Sequence, residues 1–151
     1  MINLIAAVGQ QGEIGLKGTI PWFSDETLDN RVLATAISDL GWFARQTEGG
    51  VLVVGGRTYD EMLTMGFKPG TRDIHRWEGG HPVLALLSEL KQKYPGRDIW
   101  ICGGCYTYAT FMPHVERFYI SKIPWSGPAD KFMPPLLPNW GYIGGTRYVQ
   151  D

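Results

Sequence analysis

Val51-Leu52-Val53-Val54-Gly55-Gly56-Arg57-Thr58-Tyr59 holds the key to the fold: four apolar residues, a glycine pair, then residues that open a helix. A run that is apolar at every position, rather than at every second one, is the pattern of a strand buried on both faces, as in a parallel sheet covered by helices. The same passage recurs at Ile99-Trp100-Ile101-Cys102 before Gly103-Gly104. Helices are predicted after both, over Thr58 to Leu63 and over Tyr106 to Phe111. Ile2 to Val8, interrupted by Asn3 and ending at Gly9, reads as another central strand, and Phe118 to Ile123 as a further one. Pro82 to Tyr94 reads as a helix, with proline in its first turn and Val83, Leu86, Leu87 and Leu90 at helical spacing. Strands alternating with helices predict an α/β fold with a mostly parallel central sheet flanked by helices. No repeat, charge block or low-complexity linker divides residues 1–151, so a single domain is expected.

The rest of the composition narrows the partners. A chain of 151 residues buries about two-thirds of its unfolded surface without needing disulfides or a metal. Lys and Arg total 14 against 15 Asp and Glu, a formal charge of −1. No basic face advertises nucleic acid or anionic lipid, so a small-molecule partner is expected. The apolar run Leu4 to Val8 is too short for a membrane span and has no basic residues before it, which predicts a cytoplasmic protein without membrane association. A monomer is expected. The two cysteines, Cys102 and Cys105, are expected to stay reduced. Their C-x-x-C spacing has no second cysteine pair to complete a zinc site, and His75, His81 and His114 share no ligand spacing and read as surface residues.

The two Gly-Gly turns have a chemical reading. Each places peptide N–H groups and a helix N-terminus at the carboxyl edge of the sheet, where phosphate binds with little help from side chains. Tight turns need the same residues. Neither turn is G-x-G-x-x-G or a P-loop, which argues against a standard Rossmann domain or an NTPase.

Five blocks in order then resemble the dihydrofolate reductase family. They are Leu4-Ile5-Ala6-Ala7 with Ile14-Gly15 and Ile20-Pro21-Trp22; Ser38-Asp39-Leu40-Gly41-Trp42-Phe43 with Thr47; Val53 to Tyr59; Ile101 to Gly104 with Tyr108 and Phe111-Met112-Pro113; and Phe118 to Ser121 with Asp130 and Pro134. The resemblance implies reduction of 7,8-dihydrofolate to tetrahydrofolate by hydride from NADPH. It implies Asp39 as the acid that holds the pterin ring, with Trp22 anchoring a water beside the substrate and Ser121 supporting Asp39. Ile5, Ala7, Leu40 and Phe43 would line the substrate, and Arg72 would clamp a carboxylate of the folate tail, although the spacing also permits Thr71 there. Ala7, Ile14, Ile20, Gly55, Arg57, Thr58, Cys102, Gly103, Gly104 and Tyr108 would hold the cofactor. Another pterin or pyrimidine reductase on the same fold, and a folate- or nucleotide-binding protein without turnover, are the competing readings. From the residues alone, Asp39 also reads as a first-turn carboxylate beside a Ser38 cap, and Trp22 and Ser121 as a core aromatic and a strand hydroxyl.

Three features depart from the family pattern: about a dozen extra residues between Trp22 and Asp39, no Ser-rich strand end between Asp73 and His81, and room for only a short hairpin after Trp140. Leu28, Val32, Leu33, Ala36, Ile37 and Leu40 keep helical spacing through the insertion. An unbroken helix from Ser24 would carry its start about 18 Å from Asp39, yet Trp22 must stay near Asp39. A break between Ala34 and Ser38 is therefore expected, with a short helix over Asp25 to Leu33 and a new start capped by Ser38. Gly9, Gly12, Gly15 and Gly18 predict that the loop from Gly9 to Ile20 moves as a lid.

Overall fold

The computed structural model describes residues 1–80, 82–134, 141–142 and 147–150. Its main sheet has seven strands in the order β4-β3-β5-β1-β6-β9-β8. Here β1 is Ile2–Val8, β3 Val51–Gly55, β4 Asp73–Trp77, β5 Ile99–Ile101, β6 Arg117–Lys122, β8 Gly141–Tyr142 and β9 Arg147–Gln150. The strands from β4 to β6 in that order are mutually parallel, while β9 runs antiparallel to β6 and β8 antiparallel to β9. The sheet is therefore mostly parallel, with an antiparallel hairpin on one edge. Leu4, Ile101 and Phe111 are fully buried, each contributing about 1.5–3 kcal/mol of hydrophobic stabilisation.

Among the described residues four helices flank the sheet: α1 (Asn30–Thr47), α2 (Gly56–Thr64), α3 (Val83–Lys93) and α4 (Cys105–Phe111). Helices α2 and α4 start at the two glycine pairs, as expected. Asp73 to Trp77 forms strand β4, which the sequence reading had not assigned. His75 lies in β4 and is half-buried, as is His114; His81 lies outside the described residues. Neither cysteine is in a disulfide.

The expected break in α1 is absent. Asn30–Thr47 is one helix, and Asp29, not Ser38, caps it by accepting the Arg31 N–H at 2.7 Å. The short helix expected over Asp25 to Leu33 does not form either. Pro21–Ser24 makes a 3-10 turn, and the chain then runs as a connection to Asp29. The helix starts at Asn30 rather than at Ser24, so its start lies closer to Asp39 than an unbroken helix from Ser24 would put it. Starting it at Asn30 leaves five residues after the 3-10 turn, Asp25 to Asp29, which can span up to about 17 Å when extended. That is more than the roughly 13 Å of helix between Asn30 and Asp39. Burial favours the longer path, since Leu28, Val32 and Ala36 pack in one cluster with Trp22, Ile123 and Trp125.

The loop from Gly9 to Ile20 is also more built than a run of glycines suggests. It contains β2 (Glu13–Gly15), paired antiparallel with β7 (Lys131–Phe132). Glu13 is buried, and its carboxylate accepts the N–H groups of Gln11 at 2.7 Å and Gly127 at 3.0 Å. Gly18 has φ +79°, a true turn glycine, whereas Gly15 is paired against Lys131.

Candidate active site

At the carboxyl ends of β1 and β5 lies a cleft of about 430 Å³, where an open α/β sheet is expected to bind its ligand. One wall is α1, contributing Asp39, Leu40 and Phe43. Another part of the lining is α2, contributing Thr58, Glu61 and Met62, and the strand ends contribute Ile5 to Ala7 with Cys102, Gly103, Gly104 and Tyr108. Ile14, Ile20 and Trp22 close one side and Arg72 lies at the rim.

The helical period explains why α1 presents this face: Asp39, Trp42 and Phe43 are at i, i+3 and i+4. Asp39 is 7% exposed, a carboxylate largely withdrawn from water on a wall that is otherwise apolar. Trp22 is buried edge-on to Trp125, with ring centroids 6.0 Å apart. The insertion between Trp22 and Asp39 does not separate them, since both line the same cleft.

The two glycine turns meet. Gly55 N–H donates to the Gly103 carbonyl at 2.7 Å. A Cβ on Gly55 would stand 2.8 Å from Thr107 Oγ1, and one on Gly104 would stand 2.9 Å from Thr58 Oγ1. No side chain larger than hydrogen fits between them without a shift. The N-termini of α2 and α4 thus sit side by side over bare backbone, a cradle suited to a diphosphate. Arg57, in the first turn of α2, is exposed.

Arg72 and Thr71 are told apart by their contacts. Thr71 Oγ1 accepts the Gly49 N–H at 3.2 Å, away from the cleft. Arg72 lines it, donating Nε to Thr47 Oγ1 at 2.9 Å and its two terminal nitrogens to the carbonyls of Pro69 and Ala44. Three of its five N–H groups are used to hold the guanidinium in place, leaving two for a ligand carboxylate.

Of the residues proposed from sequence, Gly55, Arg57 and Ser121 do not line the cleft. Gly55 acts from behind it, through Gly103. Ser121 is buried in β6 at the register position beside Ala7. Cys102 does line the cleft; burial pushes its thiol well above the ordinary range, and it donates to the Trp100 carbonyl. Sequence reasoning missed Glu61, Met62, Met65, Phe67 and Lys68. For Glu61 a signal existed, because it stands at i+3 from Thr58 on the same face of α2.

A family model described as dihydrofolate reductase matches residues 1–151. The chain belongs to the dihydrofolate reductase family. It is 28% identical over 135 residues to a dihydromethanopterin reductase of Methylorubrum extorquens, covering 89% of this chain and 90% of that protein. It is 26% identical to the dihydrofolate reductase type A13 of Escherichia coli, covering 89% and 78%. It is 23% identical to the dihydrofolate reductase of Bacillus subtilis, covering 100% and 86%. As a member of this family the chain is an oxidoreductase with a small-molecule substrate. Among the described residues no helix is long and apolar enough to cross a membrane.

Proposed function

We propose that this chain reduces a 7,8-dihydropterin at the expense of NADPH, with dihydrofolate giving tetrahydrofolate as the leading substrate. The observation that carries the reading is the buried Asp39 carboxylate in a largely apolar cleft that also takes in Gly103 and Gly104, beside the helix start at Thr58.

Asp39 would accept hydrogen bonds from the amide and exocyclic amine of the pterin ring. Its charge, poorly solvated in the cleft, then favours a protonated imine in the substrate, the form that accepts hydride. Trp22 would hold a water beside that imine through its indole N–H, and Ser121 would support Asp39 from β6. Ile5, Ala7, Leu40 and Phe43 would clamp the ring, and Arg72 would take a carboxylate of the tail. Gly103, Gly104 and Thr58 would receive the cofactor diphosphate, Arg57 would add charge from the rim, and Ala7, Ile14, Ile20 and Tyr108 would pack the nicotinamide end. When bound, NADPH supplies the hydride. Closure of Ile14, Ile20 and Trp22 over that end would exclude water.

A second substrate, dihydromethanopterin, is favoured by the similarity to the Methylorubrum extorquens protein along nearly all of both chains. Both readings are tested with purified protein and NADPH, following loss of reduced-nicotinamide absorbance with each pterin. Turnover of dihydrofolate supports the first and preference for dihydromethanopterin the second. Tight binding of either pterin without turnover would reduce the chain to a binding protein and overturn both.

A further inference from the structure

Glu61 is a carboxylate of the cleft wall to which the proposed chemistry assigns no task. Its Oε1 accepts the backbone N–H of Ile20 at 2.7 Å, across 41 residues of sequence. Ile20 ends the loop from Gly9 and precedes Pro21-Trp22. It is held in extended backbone, φ −72° and ψ 123°, the region imposed on a residue before proline. Other bonds tie the loop to itself, to the β7 side or to the segment after β6, such as Leu16 with Thr19, the Lys17 N–H to Asp130 and the Gln10 N–H to the Trp125 carbonyl. The Glu61 bond instead reaches α2, one helical turn beyond Thr58 and the glycine cradle. It joins the segment that carries Trp22 to the helix whose start would face the cofactor.

The contrast with Glu13 shows that this placement is costly. Glu13 is buried too, but several backbone N–H groups compensate its charge and hold it below the ordinary carboxylate range. Glu61 is half-buried beside Met62 and Met65, with a single backbone donor, and burial pushes it above that range. A charge kept in an apolar wall with one donor weakens the free fold, which is the pattern of a group retained for its task at a site.

We propose that Glu61 is a positioning residue of the reduction: through the Ile20 N–H it fixes the end of the Gly9 to Ile20 loop, and with it Trp22, against α2. The claim rests on the reductase reading only for its effect on turnover.

The test compares wild type, Glu61→Ala and Glu61→Gln, the last keeping an acceptor oxygen without the charge. Three readouts are taken: exchange of the Ile20 amide by NMR on the ligand-free protein, binding of NADPH, and kcat and KM for dihydrofolate. In Glu61→Ala the Ile20 amide should exchange about tenfold faster and kcat should fall about tenfold, the scale of one net hydrogen bond. KM for the pterin should change little. Glu61→Gln should restore both quantities to within about threefold. Unchanged Ile20 exchange in Glu61→Ala overturns the proposal, as does a glutamine variant as slow in turnover as the alanine one. A defect confined to KM also overturns it, because Glu61 is then a substrate contact. Should the wild-type protein turn over no pterin, the functional reading fails by itself; faster exchange with weaker NADPH binding in Glu61→Ala then supports the loop attachment, and no change in either overturns it.

Discussion

Tyr108, on α4, donates its hydroxyl to the carbonyl of Ile5, on β1, across 2.8 Å and 103 residues of sequence. The bond ties the second glycine turn to the central strand at the cleft. The phenol is buried, and burial first, then its closeness to Cys102 and Asp39, keeps it well above its ordinary value, so it stays a neutral donor. Tyr108→Phe should lower stability by about 1 kcal/mol through the lost hydrogen bond. The denaturant midpoint should drop with an unchanged slope.

Asp39→Asn preserves shape and removes charge. In the proposed role it should lower kcat/KM for the dihydropterin by roughly 10² or more at neutral pH, with part of the loss recovered at low pH, where the substrate is already protonated. Circular dichroism and melting should stay close to wild type. Near-normal turnover at pH 7 would remove Asp39 from the chemistry.

Gly55→Ala probes the cradle without touching the cleft surface. The new methyl would stand 2.8 Å from Thr107 Oγ1 and 3.3 Å from the Gly103 carbonyl, forcing the two turns apart. Overpacking of this kind costs about 1–3 kcal/mol, and NADPH binding, measured by fluorescence titration, should weaken with it. Gly41→Ala is the contrasting case. Gly41 lies inside α1, and an added Cβ would meet only the tip of the flexible Arg45 side chain. That variant should gain about 0.5–1 kcal/mol from helix propensity.

Glu13 of the loop and Glu61 of α2 should shift stability with pH in opposite directions. Glu13 lies below its ordinary value of 4.5: burial raises it, but backbone donors, led by its own N–H and those of Gly127 and Gln11, outweigh that. Its contribution is present above the unfolded value and is lost as pH falls through the folded one. Glu13→Gln should therefore cost most near pH 7, and its deficit should shrink in acid. Glu61 lies above 4.5, raised by burial and only partly offset by the Ile20 N–H. Its protonated form favours folding, and that contribution is lost as pH rises through the folded value. Glu61→Gln should therefore melt at or above wild type at pH 7, with the difference vanishing well below pH 4.5. Melting curves at pH 4 to 8 read both.

The sequence by itself determined the elements whose cause is local. Unbroken apolar runs marked the central strands because a doubly covered strand has no polar face, and glycine pairs marked the turns because backbone must pass where no Cβ fits. The Asp39 to Phe43 block marked one face of one helix because Asp39, Trp42 and Phe43 stand at i, i+3 and i+4. Tertiary structure decided what depends on distant partners. Whether α1 broke before Ser38 turned on Leu28 and Val32 finding Trp22 and Trp125, which no helical period specifies. Arg72 rather than Thr71 reached the cleft because Ala44, Thr47 and Pro69 orient it. Ser121, Arg57 and Gly55 kept their places in strand, helix and turn yet fell outside the cleft lining, because sheet register and helix rotation aim a side chain only after packing. Glu61 met Ile20 across 41 residues; the period of α2 put it on the cleft face, but only the folded path of the loop brought it a donor.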